Sequence, residues 1–126
     1  MSDFYSVDVK IEVPRARIYD LLITGIESGG YGSAIIEEGD WEAGWKAAEK
    51  GAHNAFGLIG LIDKYEYEEG NKTPVIRMTD AALIRGLRDL AKGEPHHFHA
   101  FMEETDDALT GDAFVQCVMF REVIYG

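Results

Sequence analysis

Cysteine is nearly absent from this 126-residue sequence: Cys117 is the only one. A single thiol cannot close an internal disulfide, which fits a reducing compartment. Cations are also scarce, with 12 Lys and Arg against 23 Asp and Glu and a net charge of −11. The basic residues are scattered, so the field repels nucleic acid and anionic lipid, and direct nucleic-acid binding is disfavoured. A basic protein surface remains an allowed partner. Long apolar runs are missing too, with nothing near the ~20 residues a membrane span needs. The start, MSDFYSVDVK, has no basic stretch followed by an apolar one, so it is not a secretory signal. The expected location is the cytosol, with no membrane association.

What is present is ordinary globular material. Apolar residues make up 46% of the chain, enough for one domain with its own core and too much for wholesale disorder. Residues 5–13, YSVDVKIEV, alternate strictly. Tyr5, Val7, Val9, Ile11 and Val13 share one face, with Ser6, Asp8, Lys10 and Glu12 on the other, which predicts a half-buried strand. Pro14 ends it and suits the first turn of a helix.

From Arg15 to Ser28 the period changes. Ile18, Leu21, Leu22, Gly25 and Ile26 form a helical stripe. Gly25 in that stripe costs about 1 kcal/mol against alanine, which points to a close packing contact. Gly29-Gly30 supplies the stop. Ser33–Ile36 reads as a short strand and 37–57 as a short helix or irregular excursion. Leu58–Tyr67 reads as a strand, joined by a turn over 68–73 to a returning strand, 74–78.

Thr79 or Asp80 caps a helix running to about Lys92, with Leu83, Leu87 and Leu90 on its apolar face. Pro95 opens a short helix with Phe98, Phe101 and Met102 inward. Asp106 and Asp107 are candidate caps for a final helix, Ala108 to about Arg121, that is apolar almost all round. Such a helix is buried in its own chain or packs on another subunit. The expected fold is α+β: one compact domain, residues 1–126, with an antiparallel sheet of about three or four strands, four or five helices and a largely buried C-terminal helix.

Two segments, DLLITGIESGG at 20–30 and DDALTGDAFVQCVMFREVIYG at 106–126, resemble a family of small phage and prophage proteins of uncharacterised function. The likeness covers roughly Ile18–Tyr31 and Thr79–Gly126. The sequence departs from the family pattern where Gly32, not tryptophan, follows Tyr31, and where Arg121, not glycine, follows Phe120. The resemblance implies a phage accessory protein in a host bacterial cytoplasm and brings no active site with it.

The candidate chemistry is sparse. His96, His97 and His99 with Glu103 place two ligands, His99 and Glu103, one turn apart. His97, His99 and Glu103 are the weak metal candidates, with His53, Asp106 or Asp107 to complete a set. No signature such as H-E-x-x-H is present, and surface histidines on a short helix are the plainer reading. Gly29, Gly30 and Tyr31 close a helix, whereas a phosphate loop opens one. They remain a candidate pocket wall, with Thr24 and Glu27 beside them. Asp107, Thr110, Asp112 and Gln116 line up at the start of the apolar final helix. One acid serves as a cap, while Asp112 and Gln116 must find partners in a core, an interface or a pocket. Cys117 reads as core.

No nucleophile signature and no cofactor motif is present. Together with the acidity, the phage resemblance implies a non-catalytic, counter-defence binding module, expected to be homo-oligomeric through the final helix. It would hold a small nucleotide-like ligand or a host protein, with Thr24, Glu27, Gly29, Gly30, Tyr31, Asp107, Thr110, Asp112 and Gln116 as the ligand-facing set. Arg77, Arg85 or Arg88 would have to supply positive charge. The alternatives are an acidic DNA mimic, using clusters such as Glu37-Glu38-Asp40-Glu42, and a small metal-dependent enzyme using the His/Asp cluster.

Overall fold

A computed structural model describes residues 3–28 and 33–126. The chain runs α1 (Arg15–Glu27), β1 (Ala34–Glu38), α2 (Trp41–Glu49), β2 (Gly60–Asp63), α3 (Lys64–Glu68), β3 (Ile76–Arg77), α4 (Asp80–Gly93), α5 (Pro95–Met102) and α6 (Ala108–Phe120). This is the expected α+β architecture, with a three-stranded antiparallel sheet in the order β1-β2-β3 and, among the described residues, six helices against the four or five expected. No helix among the described residues is long and apolar enough to cross a membrane.

The helix starts follow from local chemistry. Asp40 accepts a hydrogen bond from the Ala43 N–H, Thr79 from Ala82 and Asp107 from Thr110, each satisfying a donor that has no partner within its helix. Pro14 precedes α1 and its carbonyl accepts from the N–H groups of Arg17 and Ile18. Arg121 ends α6 in the left-handed region, at φ +69°.

The hub is α6. Thr110, Gly111 and every residue from Ala113 to Met119 are buried, and α1 and α4 flank it. Each approach is made over glycine. A Cβ on Gly25 would lie 2.4 Å from the Gly111 carbonyl oxygen, and one on Gly86 would lie 2.3 Å from the Val118 Cγ2. Gly25 thus sits where its place in the apolar stripe predicts, at a backbone-to-backbone crossing. Its own chain covers most of α6 and leaves Leu109, at 52% exposure, as the large apolar side chain of this helix that faces outward.

The sheet is smaller than its sequence pattern. Ala34 pairs with Asp63, Ile35 with Ile62 and Ile36 with Leu61, with a bulge before Glu38 reaches Gly60. On the other edge Gly60 pairs with Arg77 and Leu61 with Ile76. The strand expected over 58–67 stops at Asp63, whose carboxylate turns inward to cap α3 through the Tyr65 and Glu66 N–H groups. The expected turn at 68–73 is therefore the end of a helix and the loop after it. Met102, expected to face inward, is 41% exposed, whereas Phe101 is buried.

The largest departure is residues 5–13, which join no sheet. They run along the outside of the domain, with no backbone hydrogen bond to another described residue. Tyr5 is 97% exposed, Val7 79% and Val9 73%, while Val13 is half-buried against the core. Period two fixes which side chains share a face, but a strand also needs a neighbour to exchange N–H and C=O bonds with. Among the described residues none is supplied.

Candidate functional site

The polar pair on the greasy helix has a definite job. Gln116 is fully buried. Its amide nitrogen donates to Asp112 Oδ2 at 2.8 Å and to the Tyr125 carbonyl at 3.0 Å. Its oxygen accepts from the N–H groups of Ile124 at 2.9 Å and Tyr125 at 2.8 Å. A primary amide has two donors and two lone pairs, and all four are spent. The side chain imitates a strand partner and ties the C-terminal tail to α6.

Asp112 also accepts from the Ser33 hydroxyl at 3.2 Å, so the start of β1 joins the same knot. Tyr125 completes it from the other side. Its hydroxyl donates to Asp63 Oδ2 at 2.6 Å, and its ring packs against Tyr65 at 4.4 Å and Phe120 at 5.8 Å. Asp63 thereby serves β2, α3 and the tail at once.

The Asp63 hydrogen bond, helped by burial and the nearby Asp63 charge, pushes the Tyr125 phenol up to about 12. A neutral phenol held this way binds its proton more tightly in the folded chain than in the unfolded one, where it titrates near 10. The stability it contributes is complete below pH 10 and is lost as pH rises from 10 to 12. Absorbance titration of the tyrosines should show a late-ionising phenol that Tyr125→Phe removes, together with the corresponding slope in stability. If the phenol lost in Tyr125→Phe is one that ionises near pH 10 with the ordinary tyrosines, the Asp63 bond does not form.

The remaining sequence candidates are engaged as well. Glu27 accepts the Trp41 indole N–H at 3.0 Å. Thr24 sits at the glycine crossing, its methyl in reach of a Cβ on Gly111. Gly29, Gly30 and Tyr31 lie outside the described residues. Asp107 caps α6, and the Thr110 N–H bond holds its carboxyl below the usual range. Thr110 meets His97 Nδ1 at 3.0 Å, and burial lowers the His97 pKa.

Asp106, surplus to capping, pairs with Arg17 at 3.2 Å, and Arg17 also lies over the Phe101 ring at 4.6 Å. His53 meets Arg15 at 2.8 Å. Among the described residues no three of His, Cys, Asp and Glu are arranged to hold a metal ion, so His97, His99 and Glu103 are not brought together as a ligand set. Burial pushes the Cys117 thiol up to about 12, which keeps it unreactive.

The cations and acids are also partly committed. Arg77 pairs with Glu38, Lys46 with Glu42, and Arg121 with Asp89. Arg85 reaches toward the Val118 carbonyl at 3.5 Å. Arg88 instead lines a cleft of about 520 Å³ between the N-terminal arm, α1, α4 and α5, with Lys10 as its second cation and Val9, Ile11, Leu87 and Phe98 among its apolar walls. No protein-family model, curated protein or solved structure matches the chain.

Sequence reasoning missed two things. One is the cleft itself, whose cations come from elements far apart in the chain. The other is a polar knot in which Tyr19 donates to Asp80 at 2.6 Å, while Asp80 and Asn54 exchange bonds at 2.8 and 3.0 Å. Asn54 is left-handed at φ +50°, a conformation asparagine tolerates better than most residues. That was the only local signal. The knot fixes the 50–59 loop to α1 and the start of α4.

Proposed function

We propose that this chain is a non-catalytic binding module that engages another protein molecule through its N-terminal arm. The observation that carries the reading is the arm's apolar row, Tyr5, Val7 and Val9, left at 97, 79 and 73% exposure on a segment without a backbone hydrogen bond to another described residue. A strand-patterned segment with open N–H and C=O groups is a template for strand addition. The satisfied polar groups elsewhere support the same reading. Asp112 and Gln116 are occupied with Ser33 and the tail, and among the described residues no buried side-chain nitrogen or oxygen lacks a hydrogen-bond partner. The phage resemblance makes a host protein, met during counter-defence in the bacterial cytoplasm, a natural setting for such an arm.

The test is removal of residues 1–10, which spares Ile11 and Val13. The thermal midpoint should stay within about 3 °C of the parent, because the deleted side chains are mostly solvated, while association is lost. A collapse of the fold, or association that survives the deletion, would defeat the reading.

A second reading has one observation behind it. The cleft beside the arm presents Arg88 and Lys10 over apolar walls that include Phe98, a setting suited to a small nucleotide-like anion. In this reading the ligand site moves from the Gly-Gly-Tyr loop to the cleft. Nucleotides should then raise the thermal midpoint of the parent, and Arg88→Ala should abolish the rise.

A further inference from the structure

We propose that the arm's partner is a second copy of this chain, paired as a two-stranded antiparallel ribbon with its twofold axis at Val9. This rests on the arm reading above and names the occupant. Directly opposed residues in an antiparallel pair point to the same side, so the odd positions of one arm must face the odd positions of the other. With the axis at Val9, Val7 faces the partner's Ile11 and Tyr5 faces the partner's Val13. On the opposite side Asp8 faces the partner's Lys10, twice by symmetry, and Ser6 faces the partner's Glu12. Every apolar residue meets an apolar one, and the only cation of the arm meets an acid.

Neighbouring registers fail. An axis at Asp8 or Lys10 sets like charges face to face, which is destabilising. An axis at Val7 sets Ile11 against the partner's Asp3 and draws on Met1, at the chain end, to face Val13. An axis at Ile11 retains a Lys10–Glu12 match but leaves Tyr5 and Val7 unmatched, because Pro14 ends the strand.

Burial along the arm agrees. Exposure falls from 97% at Tyr5 through 73% at Val9 to 48% at Ile11, and Val13 is half-buried. Antiparallel pairing lays the bare half of each arm beside the covered half of the other, over the cleft walls formed by Ile84, Leu87 and Phe98. That support matters, since an isolated two-stranded ribbon is marginal in water.

Cysteine cross-linking reads the register. At the axis the two Val9 Cα atoms would lie about 4.5–5.5 Å apart, inside the range of roughly 4.4–6.8 Å that a disulfide spans. Cys117 is buried and does not compete. Under mild oxidation Val9→Cys should form a covalent dimer roughly tenfold faster or more than Leu58→Cys, a comparably exposed control at 79%. Asp8→Cys and Lys10→Cys should each cross-link slowly alone and quickly when mixed.

By sedimentation, Asp8→Lys should weaken dimerisation roughly tenfold, and Asp8→Lys with Lys10→Asp should restore it. Equal cross-linking rates at all positions, or no rescue by the double reversal, would overturn the ribbon. A chain that stays monomeric at its highest soluble concentration, yet protects residues 5–13 from hydrogen exchange when a host protein is added, overturns self-pairing and leaves the arm reading standing. An arm whose exchange and deletion affect nothing overturns both.

Discussion

Gln116→Ala should lower the stability of the domain by about 3–4 kcal/mol and its thermal midpoint by roughly 10–15 °C. The substitution leaves a void at the centre of α6, where Gln116 is fully buried. It also cuts four hydrogen bonds, two of them to the Ile124 and Tyr125 N–H groups. Those backbone groups can recover water if the tail lifts away. The cost is then the lost packing of Tyr125 on Tyr65 and Phe120, and of Val123 on the core. Against a typical total of about 5–15 kcal/mol, that is a large share.

Two companions separate the contributions. Gln116→Leu keeps the volume and loses the bonds, so it should cost about 2–3 kcal/mol. Gln116→Glu keeps the shape but loses both donors and sets a carboxylate against Asp112, which lies 2.8 Å from the present amide nitrogen. It should be worse than leucine at neutral pH and recover on acidification, as a protonated carboxyl regains one donor. Hydrogen exchange at Ile124 and Tyr125 should accelerate in all three. If the variants instead keep the parent's stability and exchange rates, Gln116 is not a clamp and the idea of a ligand-facing amide returns.

How much of this was readable from residues alone depends on whether the signal is local. The caps at Thr79 and Asp107, and the helical stripe through Ile18, Leu21, Leu22 and Gly25, are set by neighbours within a turn or two and were legible. The Gln116 knot was half legible. An amide on an apolar helix demands partners, but its partners are mainly the tail's backbone groups, which carry no side-chain signature. Asp63 carries a sharper signal. It shares a strand face with Ile59 and Leu61, and a carboxylate there has to end the strand or find donors. It does both. The arm shows the opposite limit. Its period is the clearest in the sequence, yet periodicity specifies a face and leaves the neighbour to tertiary or quaternary structure. The Arg88–Lys10 cleft was invisible for a related reason, since nothing at either position announces the other.

Gly25→Ala should be nearly as damaging as Gln116→Ala, at about 3 kcal/mol, even though alanine is the better helix former by about 1 kcal/mol. The new Cβ would sit 2.4 Å from the Gly111 oxygen and 2.6 Å from the Val115 Cγ2. One obstacle is backbone and the other belongs to a buried β-branched side chain, so neither can swing aside. Relief requires α1 to move off α6 by about 1 Å, which loosens Leu21 and Leu22 across the same crossing.

Gly111→Ala meets the Gly25 nitrogen at 2.6 Å and should cost a similar amount. Because one displacement of α1 relieves both clashes, the double substitution should cost clearly less than the two singles added together. Gly86→Ala presses on the side chain of Val118, so Val118→Ala should rescue part of its loss. Gly93→Ala, at the end of α4 with nothing within 4 Å of the new methyl, should stabilise the domain by about 0.5–1 kcal/mol. Denaturant midpoints at constant slope would measure all six. A Gly25→Ala chain as stable as the Gly93→Ala chain would mean the α1–α6 crossing is wider than drawn, and α6 would lose its place as the hub of the fold.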